Sequence, residues 1–415
     1  MHLCIYEDAR SDNFLPLTYF RPVFDLRCGV LTLREKIVRR LPHTSLSLVT
    51  RPFLAAVLRE ENPGAAVNSL HENRTLFMNG RLLLDAPSAA LFRRQKTDAV
   101  FVNGDEIVGA LSHQSPLPGS VDSPDALLID PEQWRNLPHV PVQVRLAGYP
   151  WDLLSANAGE IGADVSLFRG GISRRAKIHR SAILAGRTRI TVGPGTDIGP
   201  GAILDARKGP IVIGERVTVF PGAVLEGPCA VGDGSVVRIH AKVYAGTTIG
   251  PVCKVGGEIE GSILHSYANK QHDGFLGDSY LGMWVNLGAG TTNSNLKNTY
   301  GTVRVTINGV SVDSGSLFVG VIAGDHAKAG INSTINTGTV IGPSANFFGG
   351  GMSPKVIPAF SWGGATRTET YRVDKALDVA VTVMARRSVK ATEAYKELFR
   401  NVFSMTAHER EQRTP

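Results

Sequence analysis

A six-residue spacing of aliphatic side chains constrains the fold of this sequence more than any other feature. The aliphatic positions follow one another without a slip: Ile213, Val219, Leu225, Val231, Val237, Val243, Ile249 and Val255. An amphipathic helix needs spacings of three and four, and a half-buried strand needs a spacing of two, so neither explains the period. A solenoid does, because short strands that meet at corners turn one aliphatic residue per strand inward. The spacing predicts a β-helix from about Val192 to about Phe347.

Small residues two positions before most of these aliphatics fit the tight corners of such a solenoid: Val217, Ala223, Cys229, Ser235, Ala241, Thr247 and Cys253. Further residues continue the phase at both ends: Val192, Ile198, Leu204, Leu317, Ala323, Ala329, Ile335 and Ile341. The phase breaks at 258–280 and again at 293–312. An insertion must leave the stack as a loop, and such loops often carry function, so we expect functional loops at both places.

The rest of the chain predicts a separate α/β unit and a helical end. The N-terminal pattern contains a strand at His2–Glu7, a helix at Leu31–Leu41 and apolar runs at Thr75–Met78 and Val100–Asn103. Pro150–Leu154 is expected to start a helical linker. The predicted division is 1–155 for the α/β unit, 172–360 for the β-helix, 368–403 for a C-terminal helix and 404–415 for a polar tail, disordered from 406 onward.

Composition limits the classes of function. The chain has 415 residues, 43% of them hydrophobic and 20% charged, as expected for a soluble globular protein. Its four cysteines form no CxxC pair, and no secretion signal or membrane-spanning run is visible, so we expect reduced thiols, a cytoplasmic location and no membrane partner. The net charge of +7 is not gathered into a basic stripe with aromatics, so no nucleic-acid partner is expected.

Two polar clusters lie at the breaks in the repeat, at 266–278 and 286–298. In the first, His272 can accept a proton from an attacking amine or hydroxyl. In the second, backbone amides of Gly288–Gly290 can bind a carbonyl oxygen. Lys and Asn side chains such as Lys270 can hold phosphates and sugar hydroxyls. This set suits acyl transfer, although a polar loop without chemistry fits the same residue types.

Residues 190–350 resemble the left-handed β-helix of hexapeptide acyltransferases. More narrowly, they resemble the bifunctional N-acetylglucosamine-1-phosphate uridylyltransferase and glucosamine-1-phosphate acetyltransferase family. The resemblance rests on His272–Asp278 (HDGFLGD), Asn286–Thr291 (NLGAGT) and Asn295-Leu296. It implies His272 as general base, Asn286 and Asn295 as sugar-phosphate ligands, and acetyl-CoA as cosubstrate. The implied acetyl-CoA contacts are Gly288, Ala289 and Gly290, and a homotrimer is expected.

The same stretch departs from the family pattern where phosphate should bind. Phe275 replaces a Tyr, so it can stack but cannot donate a hydrogen bond. Glu260 falls where a phosphate-binding Lys is expected, and a carboxylate repels phosphate. Tyr244 and Leu296 also depart from the family's residues. We expect either that nearby cations replace the missing contacts or that the acceptor differs; the candidate cations are Lys270, Lys297 and Arg304.

The N-terminal segment Leu15–Lys36 resembles sugar-1-phosphate nucleotidyltransferases through its P-L-T and R-P pairs, which implies a Rossmann-like α/β domain and Arg21 as a substrate ligand. The family's Gly-rich loop is replaced by Glu7–Asn13, and Val23 stands where a Lys belongs. For the Mg²⁺ ligand, Asn103-Gly104-Asp105 keeps the Asp, whereas Asn79-Gly80-Arg81 has Arg in its place. A plain hairpin turn explains Gly104-Asp105 equally well.

Three hypotheses follow. The first is an acetyl-CoA-dependent N-acetyltransferase on a hexosamine phosphate or nucleotide amino sugar, with nucleotidyl transfer in the N-terminal half. The second is a degenerate nucleotide-sugar-binding module on a trimeric scaffold, and convergence of Arg10, Arg21 and Asp105 on one pocket would argue against it. The third is a carbonic-anhydrase-like metal site, for which the available histidines are His240, His265, His272 and His326.

Overall fold

The N-terminal part forms an α/β unit around a sheet of seven strands. The computed structural model describes residues 2–70, 74–114, 117, 126–168 and 170–411. In spatial order the strands are His139–Pro141, Ala99–Asn103, Glu106–Ser112, Thr75–Asn79, His2–Tyr6, Ser45–Val49 and Ala66–Val67. Only Glu106–Ser112 runs antiparallel to its neighbours. The helices are α1 (Leu33–Arg40), α2 (Ala55–Glu61), α3 (Ala86–Arg94) and α4 (Pro150–Asp164). The predicted strands and both predicted helices of this region are confirmed.

The α/β unit places charged side chains at one edge of its sheet. The strand His2–Tyr6 is buried along its whole length and lies between two parallel neighbours. Its carboxyl end leads to Glu7 and Asp8, and the neighbouring strand leads to Asn79 and Arg81. In open parallel sheets, ligands bind in the crevice outside these carboxyl ends.

The second part is a left-handed parallel β-helix with three faces. The first face contains Lys177–Ile178, Asp197–Ile198, Thr218–Val219, Val236–Val237, Lys254–Val255, Asn269–Lys270, Asn286–Leu287, Lys328–Ala329, Asn346–Phe347 and Ser361–Gly363, with Thr368–Thr370 added antiparallel. The second face contains Ile183–Ala185, Ile203–Asp205, Val224–Glu226, Lys242–Val243, Glu258–Glu260 and Phe275–Gly277, followed by Thr292–Asn293 and Thr334–Ile335. The third face contains Ile190–Val192, Ile211–Ile213, Cys229–Val231, Thr247–Ile249, Ile263–Leu264, Tyr280–Leu281, Ile322–Ala323, Val340–Ile341 and Val356–Ile357. The aliphatic and small residues of the repeat form one continuous core, so the β-helix prediction is confirmed.

The first break in the repeat does not leave the stack, so the prediction of a loop at 258–280 is wrong. The strands Glu258–Glu260, Ile263–Leu264, Asn269–Lys270 and Phe275–Gly277 all pair with neighbouring coils. The phase changes because three spacings between inward residues are shorter than six: Val255 to Ile259, Ile259 to Leu264 and Leu276 to Leu281. The second of these spacings contains Gly261, which has a φ of +54° and adopts this conformation without a Cβ penalty.

The second break does leave the stack. After Thr292–Asn293 the chain runs into an antiparallel hairpin, Arg304–Ile307 with Val310–Asp313, and it returns at Ile322–Ala323. The predicted excursion is therefore confirmed. Leu317, counted as an inward residue, lies on this excursion and is exposed, so that assignment is wrong.

The C-terminal region contains three helices rather than one. They are α5 (Val373–Ala385), α6 (Glu393–Met405) and α7 (Ala407–Glu411). The predicted apolar face is present on α5, where Ala376, Ala380 and Met384 are buried. The tail prediction is wrong up to Glu411, since Arg410 lies over the Phe403 ring at 4.2 Å; 412–415 lie outside the described residues. No helix in the described ranges combines the length and apolar character needed to cross a membrane.

The α/β unit packs on the third face of the β-helix through specific contacts. The Nδ2 of Asn157 on α4 donates to the carbonyl of Gly246 at 2.7 Å. The hydroxyl of Tyr280 accepts from the backbone N–H of Arg27 at 2.7 Å and donates to its carbonyl at 3.0 Å. The guanidinium of Arg21 donates to the Asp325 carboxylate, with one contact of 2.8 Å. The two parts therefore share a buried polar and apolar interface.

Candidate active site

The edge between the first and second faces carries His272. Its turn follows the strand Asn269–Lys270 and precedes Phe275–Gly277, so the imidazole lies on the outside of the solenoid and is exposed. The coil below supplies Gly257, where an added Cβ would lie 2.8 Å from the His272 carbonyl oxygen. The His272 turn therefore packs closely against the backbone of Gly257, and a side chain at position 257 would push the turn away from the neighbouring coil.

The next corner along this edge contains Gly288, Ala289 and Gly290. The N–H of Gly288 donates to the Ala329 carbonyl at 2.9 Å, and that of Gly290 donates to the Asp273 carbonyl at 3.0 Å. Both N–H groups are used in hydrogen bonds between coils of the β-helix. The prediction that all three amides can bind a substrate carbonyl is therefore wrong for Gly288 and Gly290. The N–H of Ala289 makes no hydrogen bond within the described part of the chain. Ala289 therefore supplies the one amide of the triplet that is available to a ligand.

His272, Ala289 and Gly290 line one open groove of about 490 Å³ along this edge, together with Arg238 and Asn332. The groove brings together the predicted base and part of the predicted cosubstrate site. Exposed Ile239 and Ile331 also line it, so it offers apolar surface beside the polar groups.

A cationic cluster lies beside the groove and was not singled out in the sequence. It consists of Arg238, Lys254, Arg386 and Arg387. The pKa of Lys254 is lowered, first by the charge of Arg387, then by burial and by Arg238 and Arg386. Arg387 reaches the first face and donates to the Asn269 side-chain oxygen at 2.8 Å. Sequence spacing cannot reveal this cluster, because two members come from the end of α5, far along the chain.

The predicted sugar-phosphate ligands lie on different faces. Asn286 is on the first face, where its Cα pairs in register with Asn269 and Lys328. Asn295 is beyond the second face and donates to the Asp278 carboxylate at 2.7 Å. Burial raises the pKa of Asp278, although the Asn295 hydrogen bond opposes this. Phe275 lies against Gly277, where a Cβ would be 2.5 Å from its ring. The two asparagines thus flank the His272 edge from opposite sides.

None of the cations suggested as replacements for the phosphate contacts is free in the structure. Lys270 points into the β-helix and is 1% exposed, so its predicted contact with substrate is contradicted. Lys297 donates to the Thr302 carbonyl, and Arg304 donates to the Ser311 carbonyl at 2.8 Å. The last two therefore stabilise the hairpin excursion.

In the α/β unit, internal ion pairs occupy the crevice at the strand ends. The guanidinium of Arg81 makes two contacts with Asp8, at 2.7 and 2.8 Å. Burial would raise the pKa of Asp8, but the hydrogen bond and charge of Arg81 outweigh it and the pKa is lowered. The Glu7 carboxylate accepts from Arg51 at 3.1 Å and from the Val23 backbone N–H at 2.8 Å. The segment Glu7–Asn13, which stands in place of the Gly-rich loop, is thus bound to the sheet by side chains that lie in the crevice.

Arg10, Arg21 and Asp105 do not converge on a pocket. Asp105 is exposed in the hairpin turn after Gly104, which has a φ of +60°. Arg10 pairs with the adjacent Glu106, whereas Arg21 is buried against Asp325 of the β-helix. The structure therefore places Arg21 in the contact between the two parts and not at an open substrate site.

These residues do not form a fitting Mg²⁺ site. Asp105 is a single exposed carboxylate, and Glu7 and Asp8 are already paired with guanidinium groups. Within the described ranges, no three His, Cys, Asp or Glu residues are grouped to hold a metal ion. Of the four histidines considered for a metal site, His265 and His326 are buried, and burial lowers the pKa of both.

Comparison with known proteins supports the relationship inferred from the motifs. Residues 3–172 match the family described as sugar nucleotidyl transferase. The "Bifunctional protein GlmU" of Synechococcus sp. (strain CC9311) is 31% identical over 147 residues, which cover 35% of this chain and 31% of that protein. The GlmU protein of Heliobacterium modesticaldum is 33% identical over 162 residues, covering 38% of this chain and 33% of that protein. The chain thus spans about a third of the length of these curated relatives.

Among solved structures, the UDP-N-acetylglucosamine acyltransferase of Francisella novicida aligns with 57% of this chain and 92% of its own. Its sequence identity is 15% and its TM-score is 0.28. A Bacillus cereus N-acyltransferase, AntD, solved with dTDP and coenzyme A, aligns with 52% of this chain at 16% identity and a TM-score of 0.18.

Proposed function

We propose that this protein is an acetyl-CoA-dependent N-acetyltransferase whose acceptor is a hexosamine phosphate or a nucleotide-linked amino sugar. The observation that carries the proposal is the groove in which the exposed His272 and the unused amide of Ala289 lie beside a cationic cluster. A base, a hydrogen-bond donor and a polyanion site are the three elements that transfer from acetyl-CoA requires.

Each group has a definite role in this proposal. His272 takes a proton from the acceptor amine as its nitrogen attacks the thioester carbonyl. The Ala289 N–H donates to the carbonyl oxygen as negative charge develops there. The new C–N bond forms, the C–S bond breaks, and the thiolate of CoA leaves and is protonated. Arg238, Lys254 and Arg387 bind phosphates of the cosubstrate, which relieves the repulsion that lowers the pKa of Lys254.

The second candidate concerns the α/β unit, which we propose no longer carries out nucleotidyl transfer. The Arg81–Asp8 and Arg51–Glu7 pairs favour this candidate, since they leave the crevice without spare charge for triphosphate and metal. Purified protein is expected to release no pyrophosphate from UTP and sugar-1-phosphates in the presence of Mg²⁺. Turnover that is lost on mutating Asp105 to Asn would contradict this and restore the nucleotidyltransferase hypothesis.

The acetyltransferase proposal is tested by acetyl transfer across a panel of amino sugars, their 1-phosphates and their nucleotide derivatives. His272→Ala is expected to lower kcat about 10²–10⁴-fold, the usual contribution of a positioned base. His179→Ala is the matched control, because His179 is an exposed histidine at the other end of the same edge. Full activity of His272→Ala would contradict the role of His272 as general base. Wild-type inactivity on the whole panel, without stabilisation by acetyl-CoA in thermal unfolding, would favour the scaffold hypothesis.

A further inference from the structure

A lysine occupies an inward position of the β-helix directly beneath the His272 turn. Lys270 lies in register with Val255 of the previous coil, and its side chain is 1% exposed. The surrounding inward positions are aliphatic. A buried cation must be compensated by hydrogen bonds or charge, so its partners show what it does there.

The ammonium group of Lys270 binds three backbone carbonyls around the turn. Its Nζ donates to the His272 carbonyl at 2.6 Å, to the Gly274 carbonyl at 3.2 Å and to the Gly256 carbonyl at 3.3 Å. The first two belong to the turn, and the third belongs to the coil on which the turn rests. The three N–H bonds of a protonated lysine match these three acceptors, whereas a neutral amine has only two.

The protonation of Lys270 fits this arrangement. Burial lowers its pKa to about 8, and the negative charge of nearby Asp273 opposes the decrease. The group therefore keeps its third proton at neutral pH. The Gly274 carbonyl also accepts from the Glu258 N–H at 3.1 Å, whereas the carbonyls of His272 and Gly256 have no second hydrogen bond within the described ranges. Removing the ammonium would leave those two acceptors unpaired.

We infer that Lys270 is a positioning residue, which holds the His272 imidazole in its place at the groove by anchoring the His272 carbonyl from inside the solenoid. The inference rests on the proposed function of His272. Its geometric basis is the short Nζ contact to that carbonyl together with the seat that Gly257 provides for the turn. Loss of the anchor would let the turn shift, and a displacement of about 1 Å can reduce a rate about 10²-fold.

The chain offers a control in Lys328, a second lysine on the first face, which is partly buried and lies on the outward side of its strand. Its Nζ donates to the His326 carbonyl at 2.9 Å, and burial lowers its pKa to about 8 as well. Lys270→Met and Lys328→Met each remove a lysine whose Nζ donates to a backbone carbonyl, but only the first removes support from the His272 turn.

The experiment compares both variants in the 415-residue chain. Lys270→Met is expected to lower kcat about 10²-fold while the KM for acetyl-CoA stays within about twofold of wild type. Lys328→Met should change neither constant more than about twofold. Lys270→Gln, whose amide can still donate, should recover part of the loss and covers the case in which the Met variant fails to fold. Unchanged kcat in Lys270→Met, or equal losses in Lys328→Met, would overturn the inference.

A readout that needs no acetyl transfer separates this inference from the proposed function. Amide hydrogen exchange should quicken about tenfold or more in the peptide around 271–275 in Lys270→Met, and not in Lys328→Met, because lost anchoring lowers the free energy of local opening. Wild-type inactivity together with this faster exchange would refute the proposed function but retain the anchoring. Unchanged exchange would refute the anchoring itself.

Discussion

The two parts of the molecule compensate their buried cations in different ways. In the α/β unit the partners are carboxylates: Arg81 with Asp8 at 2.7 Å, Arg51 with Glu7 at 3.1 Å, and Lys36 with Asp164 at 2.6 Å. In the β-helix, the buried Lys270 and the partly buried Lys328 donate to backbone carbonyls instead.

This difference bears on where a ligand can bind. A buried ion pair is stable only while both partners are present, so the paired groups of the α/β unit are not available to a phosphate or a metal. Along the His272 edge, Arg238, Lys254 and Arg387 lie without a carboxylate partner within the described ranges, and the repulsion among them lowers the pKa of Lys254. An anionic ligand would relieve that repulsion. The charged groups of the α/β crevice therefore pair with one another, whereas the cations along the β-helix edge can bind an anionic ligand.

The largest expected change in stability comes from breaking the Arg81–Asp8 pair in the α/β crevice. Arg81→Met should lower the free energy of unfolding by about 3–5 kcal/mol, because it leaves the buried Asp8 carboxylate without its cation. Chemical denaturation measures the change. A loss below about 1 kcal/mol would show that the pair is not buried in solution and that the crevice is open to ligands.

The contact between the two parts should show the next largest effect. Arg21→Met is expected to destabilise the protein by about 2–4 kcal/mol, since Asp325 then lacks its buried partner. In a double-mutant cycle with Asp325→Asn, the two losses should be strongly non-additive. Additive losses would mean that Arg21 has another partner, such as a substrate, and would revive the predicted binding role.

The pH dependence of stability tests the lysines held by carbonyls. Burial lowers the pKa of Lys328 to about 8, below its unfolded value of 10.5, so the folded state binds fewer protons between these values. Wild type should therefore gain stability relative to Lys328→Met as the pH rises from about 8 to 10.5, by about 1–3 kcal/mol. Denaturation at both ends of this window measures the difference. A constant difference would show that folding does not lower the pKa of Lys328.

The smallest effect concerns the exposed pair at the mouth of the crevice. Arg10→Ala should change the free energy of unfolding by less than about 1 kcal/mol, because a solvent-exposed ion pair contributes little. The same denaturation assay applies, with Arg81→Met as the comparison. A loss as large as that of Arg81→Met would extend the closed network to Arg10.

The repeat alone predicted most of the β-helix, because an inward aliphatic at every sixth residue leaves a chain few other ways to bury them. It also brought attention to His272 and Ala289, which the structure places in one groove. The orientation of Lys270 could not be predicted. The short spacings from Val255 to Ile259 and from Ile259 to Leu264 together shift the phase, and that shift turns Lys270 inward. Because Lys270 lies in a polar stretch of sequence, nothing local indicates that its side chain is buried inside the β-helix.

The N-terminal motifs show the same limit. The P-L-T and R-P pairs indicated a resemblance to sugar nucleotidyl transferases, and residues 3–172 match the model of that family. They also suggested that Arg21 faces a substrate, whereas it faces Asp325, some 300 residues along the chain. A motif resemblance does not determine the partner of a charged side chain, which depends on what the fold brings next to it.

The sequence by itself determined the solenoid and the α/β unit and singled out His272 as a candidate base, since each follows from local spacing or a short motif. Only the tertiary structure decided that the crevice of the α/β unit is filled by Arg81 and Asp8, that Lys270 supports His272 from within, and that Arg386 and Arg387 reach the groove from α5. The physical reason is that hydrogen bonds and charges act over a few ångströms in space, whatever the distance along the chain.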